Sequence, residues 1–74
     1  MIYLYIGENP TDQTEINTIS FVVPENIELY KAIEENNLPA EKEGHYRQLY
    51  YNKTEDTVTA EYKSIPKTEK SRFL

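Results

Sequence analysis

His45-Tyr46-Arg47-Gln48-Leu49-Tyr50-Tyr51, Asn52-Lys53-Thr54-Glu55-Asp56 and Thr57-Val58-Thr59-Ala60-Glu61-Tyr62-Lys63 follow one another without a break, and their reading decides the fold. Two runs rich in Tyr, Thr and Val flank a short polar segment of turn formers, which is the sequence form of a β-hairpin. In the second run Val58, Ala60 and Tyr62 alternate with Thr57, Thr59 and Glu61, so its buried face is defined. In the first, Tyr46, Gln48 and Tyr50 oppose Arg47, Leu49 and Tyr51, and a register change of one residue would exchange the two sets. We expect Leu49 and Tyr51 inside. Pro66 ends the second strand, having no amide to donate to a ladder.

Toward the N-terminus, Ile2, Leu4 and Ile6 alternate with Tyr3 and Tyr5, which predicts a strand over 1–6 that buries the aliphatic set and presents its tyrosines on the other face. Gly7-Glu8-Asn9-Pro10-Thr11-Asp12 breaks that strand into a loop. The pattern resumes from Ile16, with Ile19, Phe21 and Val23 on one face opposite Thr18, Ser20 and Val22, a second strand closed by Pro24. Between Pro24 and Asn37 the apolar period lengthens to nearly four. Ile27, Tyr30 and Ile33, with Leu29 and Ala32 beside them, predict a short amphipathic helix. Glu25 and Glu28 suit its start, whereas Glu34 and Glu35 sit badly at its end, so packing must hold the last turn. Residues 40–44 are a charged connector.

The expected fold is therefore α+β: a small antiparallel sheet of about four strands, in the order β-β-α-β-β, with one amphipathic helix packed on one face. Residues 1–66 form the single domain. Residues 67–74 are a polar tail ending in Phe73-Leu74, which is either a free terminus or the entry to a further helix, for which Thr68-Glu69-Lys70-Ser71 offers capping residues.

A chain of 74 residues is one domain, near the size at which a single core is marginally stable. It has no cysteine, which excludes disulfides and thiolate metal sites. No run approaches the roughly 20 apolar residues of a membrane span, and Met1–Ile6 lacks the basic flank of a secretory signal, so a soluble cytoplasmic protein is expected. The net charge is −5, and the eight basic residues are scattered singly at Lys31, Lys42, Arg47, Lys53, Lys63, Lys67, Lys70 and Arg72, with a local excess only from Lys67 to Arg72. Nucleic-acid binders concentrate positive charge on one face to neutralise phosphates, so this balance argues against nucleic acid as a partner. Seven tyrosines stand against two phenylalanines and no tryptophan. Tyrosine suits half-buried surfaces. The set fits either a thin sheet with one wet face or an interface anchored by Tyr3, Tyr5, Tyr46, Tyr50 and Tyr62.

Residues that carry chemistry are sparse. His45 is the sole histidine, and Ser20, Ser64 and Ser71 lie in no glycine-flanked turn that would expose a nucleophile. Glu34 and Glu35 would diverge by roughly 100° on a helix and cannot face one substrate as a pair. Glu41 and Glu43 belong to the connector, and Glu55-Asp56 lacks the glycine and terminal glutamate of a calcium loop. Gly7 and Gly44 belong to no phosphate-cradling loop. Asn52-Lys53-Thr54 matches a glycosylation sequon but reads as turn chemistry. Tyr46-Arg47 and Tyr62-Lys63 interleave aromatic and basic residues as single-strand binding sheets do, in acidic surroundings that oppose such a role. We expect no catalytic, metal-binding or cofactor-binding residue, no cofactor, no enzyme activity and no small-molecule substrate.

The hairpin Tyr50-Tyr51-Asn52-Lys53-Thr54-Glu55-Asp56-Thr57-Val58-Thr59-Ala60-Glu61-Tyr62, the following Ile65-Pro66 and the polar lead into Phe73-Leu74 give the last third of the chain its character. That part resembles the small tail or baseplate accessory proteins of phages and prophages of Gram-positive bacteria, which pair a short β-rich module with a C-terminal helical or coiled-coil extension. The resemblance implies a structural virion component that assembles with copies of itself or with neighbouring tail proteins, found in the virion or the host cytoplasm. It transfers no catalytic residue. An alternative is a small acidic inhibitor or regulator presenting its glutamate-rich helix to a basic, nucleic-acid-binding protein. A hydrolase or metal enzyme would require a site formed between subunits.

Overall fold

The hairpin forms where the sequence places it. In the computed structural model, which describes residues 1–65, β5 (His45–Asn52) and β6 (Thr57–Ser64) pair antiparallel over their full length, from His45 opposite Ser64 to Asn52 opposite Thr57. The expected stop at Pro66 and the tail over 67–74 lie outside the described residues. A third strand, β2 (Thr14–Ile16), adds to the other side of β5, with Ile16 opposite Leu49 and Thr14 opposite Tyr51. A second antiparallel sheet has β1 (Ile2–Tyr5) at its centre, between β3 (Ile19–Ser20) and β4 (Tyr30–Ile33).

The architecture is two three-stranded sheets, ordered β3-β1-β4 and β2-β5-β6, and this corrects the α+β expectation. No amphipathic helix exists among the described residues. Where it was expected, a single 3₁₀ turn at Ile27–Leu29 leads into β4, and a second at Glu35–Asn37 follows it. The stripe Ile27, Tyr30, Ile33 is not kept as one face: a 3₁₀ turn holds Ile27, and in β4 Tyr30, opposite Tyr5, and Ile33, opposite the buried Ile2, fall on opposite faces of the sheet. The helix had little else in its favour: Asn26 makes no side-chain cap, and the acidic end opposes the dipole. Against that weak preference β1 offers four paired positions, Ile2 to Ile33 through Tyr5 to Tyr30, and tertiary pairing overrides propensity.

The expected strand from Ile16 to Val23 is also corrected. Its first part is the end of β2 in one sheet, its middle is β3 in the other, and Asn17-Thr18 carries the chain between them. Phe21, Val22 and Val23 belong to no strand. In the β1–β3 register Ile2 would oppose Phe21, yet pairing stops at Tyr3 and Ser20. The Ser20 hydroxyl donates to the Val22 carbonyl at 2.7 Å and accepts from the Val22 N–H at 3.3 Å, a local closure that competes with the ladder.

Both sheets contribute to one core. Ile2 and Leu4 come from one, Ile16, Leu49 and Tyr51 from the other, and all five are at most 7% exposed. Leu49 and Tyr51 are inside, as expected. Ile6, Ile19, Ile33, Leu38, Val58 and Ala60 pack around them only partly buried. Tyr62, placed inside by its alternation with Val58 and Ala60, is exposed instead, because β6 outruns the core at that end.

The two long sides of the sandwich are closed differently. On one, the two-residue link joins β2 to β3, and the Gln48 amide on β5 reaches across to the Ile16 carbonyl and the Asn17 side chain, both at 3.3 Å. On the other, β4 and β6 are unconnected edges beside an open groove of about 480 Å³ lined in part by Met1, Lys31, Ile33, Glu34, Asp56 and Val58. The Lys31–Asp56 ion pair at 3.1 Å spans it. No helix among the described residues is long and apolar enough to cross a membrane.

Candidate docking surface

Between β3 and β4 the chain leaves its sheet and presents apolar side chains to water. Phe21, Val22 and Val23 are 72%, 73% and 66% exposed, and Ile27 a further 46%. Scattered single exposed aliphatics are ordinary, but three consecutive large ones on a chain with so small a core form a contiguous apolar patch, the kind of feature that makes a candidate docking surface. The loop is fixed at both ends. At its start Ser20 pairs with Tyr3 and closes on Val22; at its end the Leu29 carbonyl accepts the N–H groups of Ile6 and Gly7 at 2.9 and 3.1 Å. Gly7 takes φ +82°, a left-handed conformation that favours glycine and lets the chain turn against Leu29. The base is held by β1 while the apolar tip stands free, which lowers the ordering cost of docking.

The five tyrosines expected to anchor an interface are not brought together. Alternation along β1 puts Tyr3 and Tyr5 on the outer face of its sheet, opposite the buried Ile2 and Leu4. Tyr30 joins them: it pairs with Tyr5, their rings 5.2 Å apart and edge to face. Sequence reading missed Tyr30 by assigning it to a helix stripe. Tyr46 and Tyr50 lie on the outer face of the other sheet, on the far side of the molecule. The Tyr50 hydroxyl has its pKa raised, first by local desolvation and then by the carboxylates of Glu61 and Glu15, partly opposed by Lys63. Tyr62 serves neither face; its hydroxyl donates to the Ala40 carbonyl. Beside it, across the β5–β6 pair, Arg47 donates to the Pro39 carbonyl at 2.7 Å, so the two side chains together hold the connector down.

The polar groups of the hairpin turn are structural. Tyr51 donates its hydroxyl to Asp56 at 2.6 Å, and Asp56 also takes the Lys31 ammonium at 3.1 Å. These two donors, Tyr51 first, hold the Asp56 carboxyl below its ordinary pKa, and Asp56 in turn raises that of Tyr51. Asp56 has φ +56°, a conformation that Asp tolerates better than most residues. Asp12 accepts both the N–H and the hydroxyl of Thr54, at 3.0 and 2.7 Å, which lowers its pKa and pins the turn to the first loop. Asn52 caps the turn by accepting the Glu55 N–H at 2.8 Å, a turn role that matches the reading of its sequon. The sequence placed Asp12 in a loop and Asp56 in a turn without partners; Thr54 lies 42 residues from Asp12 and Lys31 lies 25 from Asp56, and no local pattern announces those two contacts.

His45 opens β5 with Nδ1 3.0 Å from the Glu43 carbonyl and Nε2 3.4 Å from the Ser64 hydroxyl. Among the described residues no acidic side chain hydrogen-bonds to it to make a triad, and no group of three His, Cys, Asp or Glu is able to hold a metal. Comparison with protein-family models, curated proteins and solved structures finds no match.

Proposed function

We propose that this chain is a non-enzymatic interaction module that assembles with other proteins through the Phe21-Val22-Val23 loop, in the manner of the phage tail or baseplate components that its C-terminal third resembles. The observation that carries this reading is the exposure of three consecutive large apolar residues on a loop whose base is fixed to the central strand. A free protein of this size gains by burying such residues wherever it can. Keeping them outside is a cost that docking returns. The outer tyrosines of β1 and β4 extend the contact area next to the loop, since Ser20, which starts it, lies opposite Tyr3.

A photo-crosslinking amino acid placed at Phe21, in the cells or virions where the protein occurs naturally, tests this. The expected result is a discrete adduct with a structural protein from position 21 and none from Lys53 on the hairpin turn. Adducts from Lys53 but none from position 21 would overturn the loop as the docking element. Adducts with proteins foreign to a virion would keep the module and remove the phage assignment.

A further inference from the structure

The charge of the chain is not evenly distributed. Residues 1–30 contain five carboxylates (Glu8, Asp12, Glu15, Glu25 and Glu28) and no lysine or arginine, while the remainder carries eight of each sign, so the entire net charge of −5 belongs to the first thirty residues. Those residues supply β1, β3 and the whole apolar loop, with β2 of the other sheet, on whose side Asp12 and Glu15 lie. Glu25 and Glu28 are exposed on either side of Ile27 within the loop, and Glu8 follows Gly7, whose N–H is bonded to the Leu29 carbonyl, so two carboxylates lie in the loop itself and a third at its base. The one cation of this sheet, Lys31, is turned across the groove to Asp56.

We propose that the partner of the Phe21-Val22-Val23 loop is a protein surface with an apolar recess bordered by lysine or arginine. This rests on the docking reading above and adds the chemistry of the partner to it. The acidic border steers the loop toward positive potential and speeds encounter, while Phe21 and its neighbours supply the burial that holds the complex. The same border disfavours two other occupants. A second copy meeting loop to loop would oppose like charges, and an anionic membrane would repel the rim while attracting only the tip.

The test is selection of a random displayed-peptide library on the immobilised full chain, with the enriched peptides then synthesised and titrated at low and high salt. Enriched peptides should combine aromatic or aliphatic clusters with flanking Lys or Arg. Their affinity should fall by about tenfold or more in Phe21→Ser, where an apolar anchor is lost. It should fall by roughly threefold in Glu25→Gln/Glu28→Gln, with a weaker salt dependence than wild type. Peptides that need Phe21 but carry no basic flank and ignore salt would overturn the basic partner and leave the docking loop standing. Peptides indifferent to Phe21→Ser would overturn both. Co-sedimentation of the wild-type chain with phosphatidylcholine vesicles, lost in Phe21→Ser, would replace the protein partner by a lipid surface. Since Phe21 contacts solvent rather than core, the variant's thermal unfolding, matched to wild type, shows that lost binding is not lost folding.

Discussion

The two sheets are built to the same plan of three antiparallel strands, and they differ in almost everything else. The β2-β5-β6 sheet rests on a hairpin of two eight-residue strands whose ladder is complete from end to end, whose turn is held by Asp12, Asn52 and Asp56, and whose charges are of both signs. The β3-β1-β4 sheet pairs two to four residues per strand, draws its outer side chains from Tyr3, Tyr5 and Tyr30, and ends one edge early to release an apolar loop amid carboxylates. In the function proposed above, the first sheet is the scaffold and the second the presenting surface. They share one small core, so the short strands of the presenting sheet are backed by the hairpin through Ile2 and Leu4 against Leu49 and Tyr51.

The largest effects should come from breaking the core that joins the two. Leu49→Ala on the scaffold and Leu4→Ala on the presenting sheet each remove a buried side chain, at an expected cost of about 2–5 kcal/mol. For a domain this small that approaches the total stability, so both variants should be largely unfolded by circular dichroism at room temperature. A tolerated Leu4→Ala beside an unfolded Leu49→Ala would show that the sheets do not depend on one core.

A smaller effect is expected at Asp56, which takes Tyr51 from its own sheet and Lys31 from across the open side. Tyr51→Phe removes a hydroxyl bonded to Asp56 and should cost about 1 kcal/mol in urea denaturation. Asp56→Asn keeps a residue that tolerates positive φ while removing the charge that pairs with Lys31, and should lower the midpoint of thermal unfolding. The pH dependence has a defined sign. Tyr51 and Lys31 lower the pKa of folded Asp56 below its ordinary value of 3.8, so its contribution is fully present above that value and is lost as pH falls through the lowered folded pKa. Wild type and Asp56→Asn should therefore differ most near neutrality and converge in strong acid. A difference that grows on acidification would contradict the bonding described for Asp56.

The Ser20 closure is a finer test. Ser20→Ala removes the two bonds to Val22, so exchange of the Val22 amide hydrogen should quicken while stability moves by no more than about 0.5 kcal/mol. An unchanged exchange rate would mean that something other than Ser20 ends β3. Phe21→Ser should be the mildest of all for stability, within about 0.5 kcal/mol of wild type, because a 72% exposed ring has little packing to lose. Marked destabilisation would place Phe21 in the scaffold instead of on the presenting surface.

The same division explains how much of the molecule was legible in its sequence. The hairpin announced itself because long strands repeat their alternation several times and close on turn residues, and Leu49 and Tyr51 were placed correctly from that pattern. In the other sheet a two-residue strand offers no period to read. Tyr30–Ile33 passes equally for a helix turn until β1 is known to need a second neighbour. The exposed loop was hidden by its own composition. Phe21-Val22-Val23 is made of strand-forming residues, yet Ser20 bonds to Val22 and pairing with β1 ends at Ser20, which leaves the three outside the sheet. Of the tyrosines read as one interface, the structure separates Tyr3 and Tyr5 from Tyr46 and Tyr50 and turns Tyr62 to a connector carbonyl, because which sheet a strand joins is fixed by long-range pairing.

The chain contains no tryptophan, so Phe21→Trp installs a single reporter at the tip of the loop. Its fluorescence in the free protein, titrated with acrylamide, measures the central claim directly. Emission at the wavelength of a fully hydrated indole, quenched as readily as the free amino acid, is what an exposed docking loop predicts. Blue-shifted emission shielded from acrylamide would show that the loop folds back onto its own sheet, and the division into scaffold and presenting surface would fall with it.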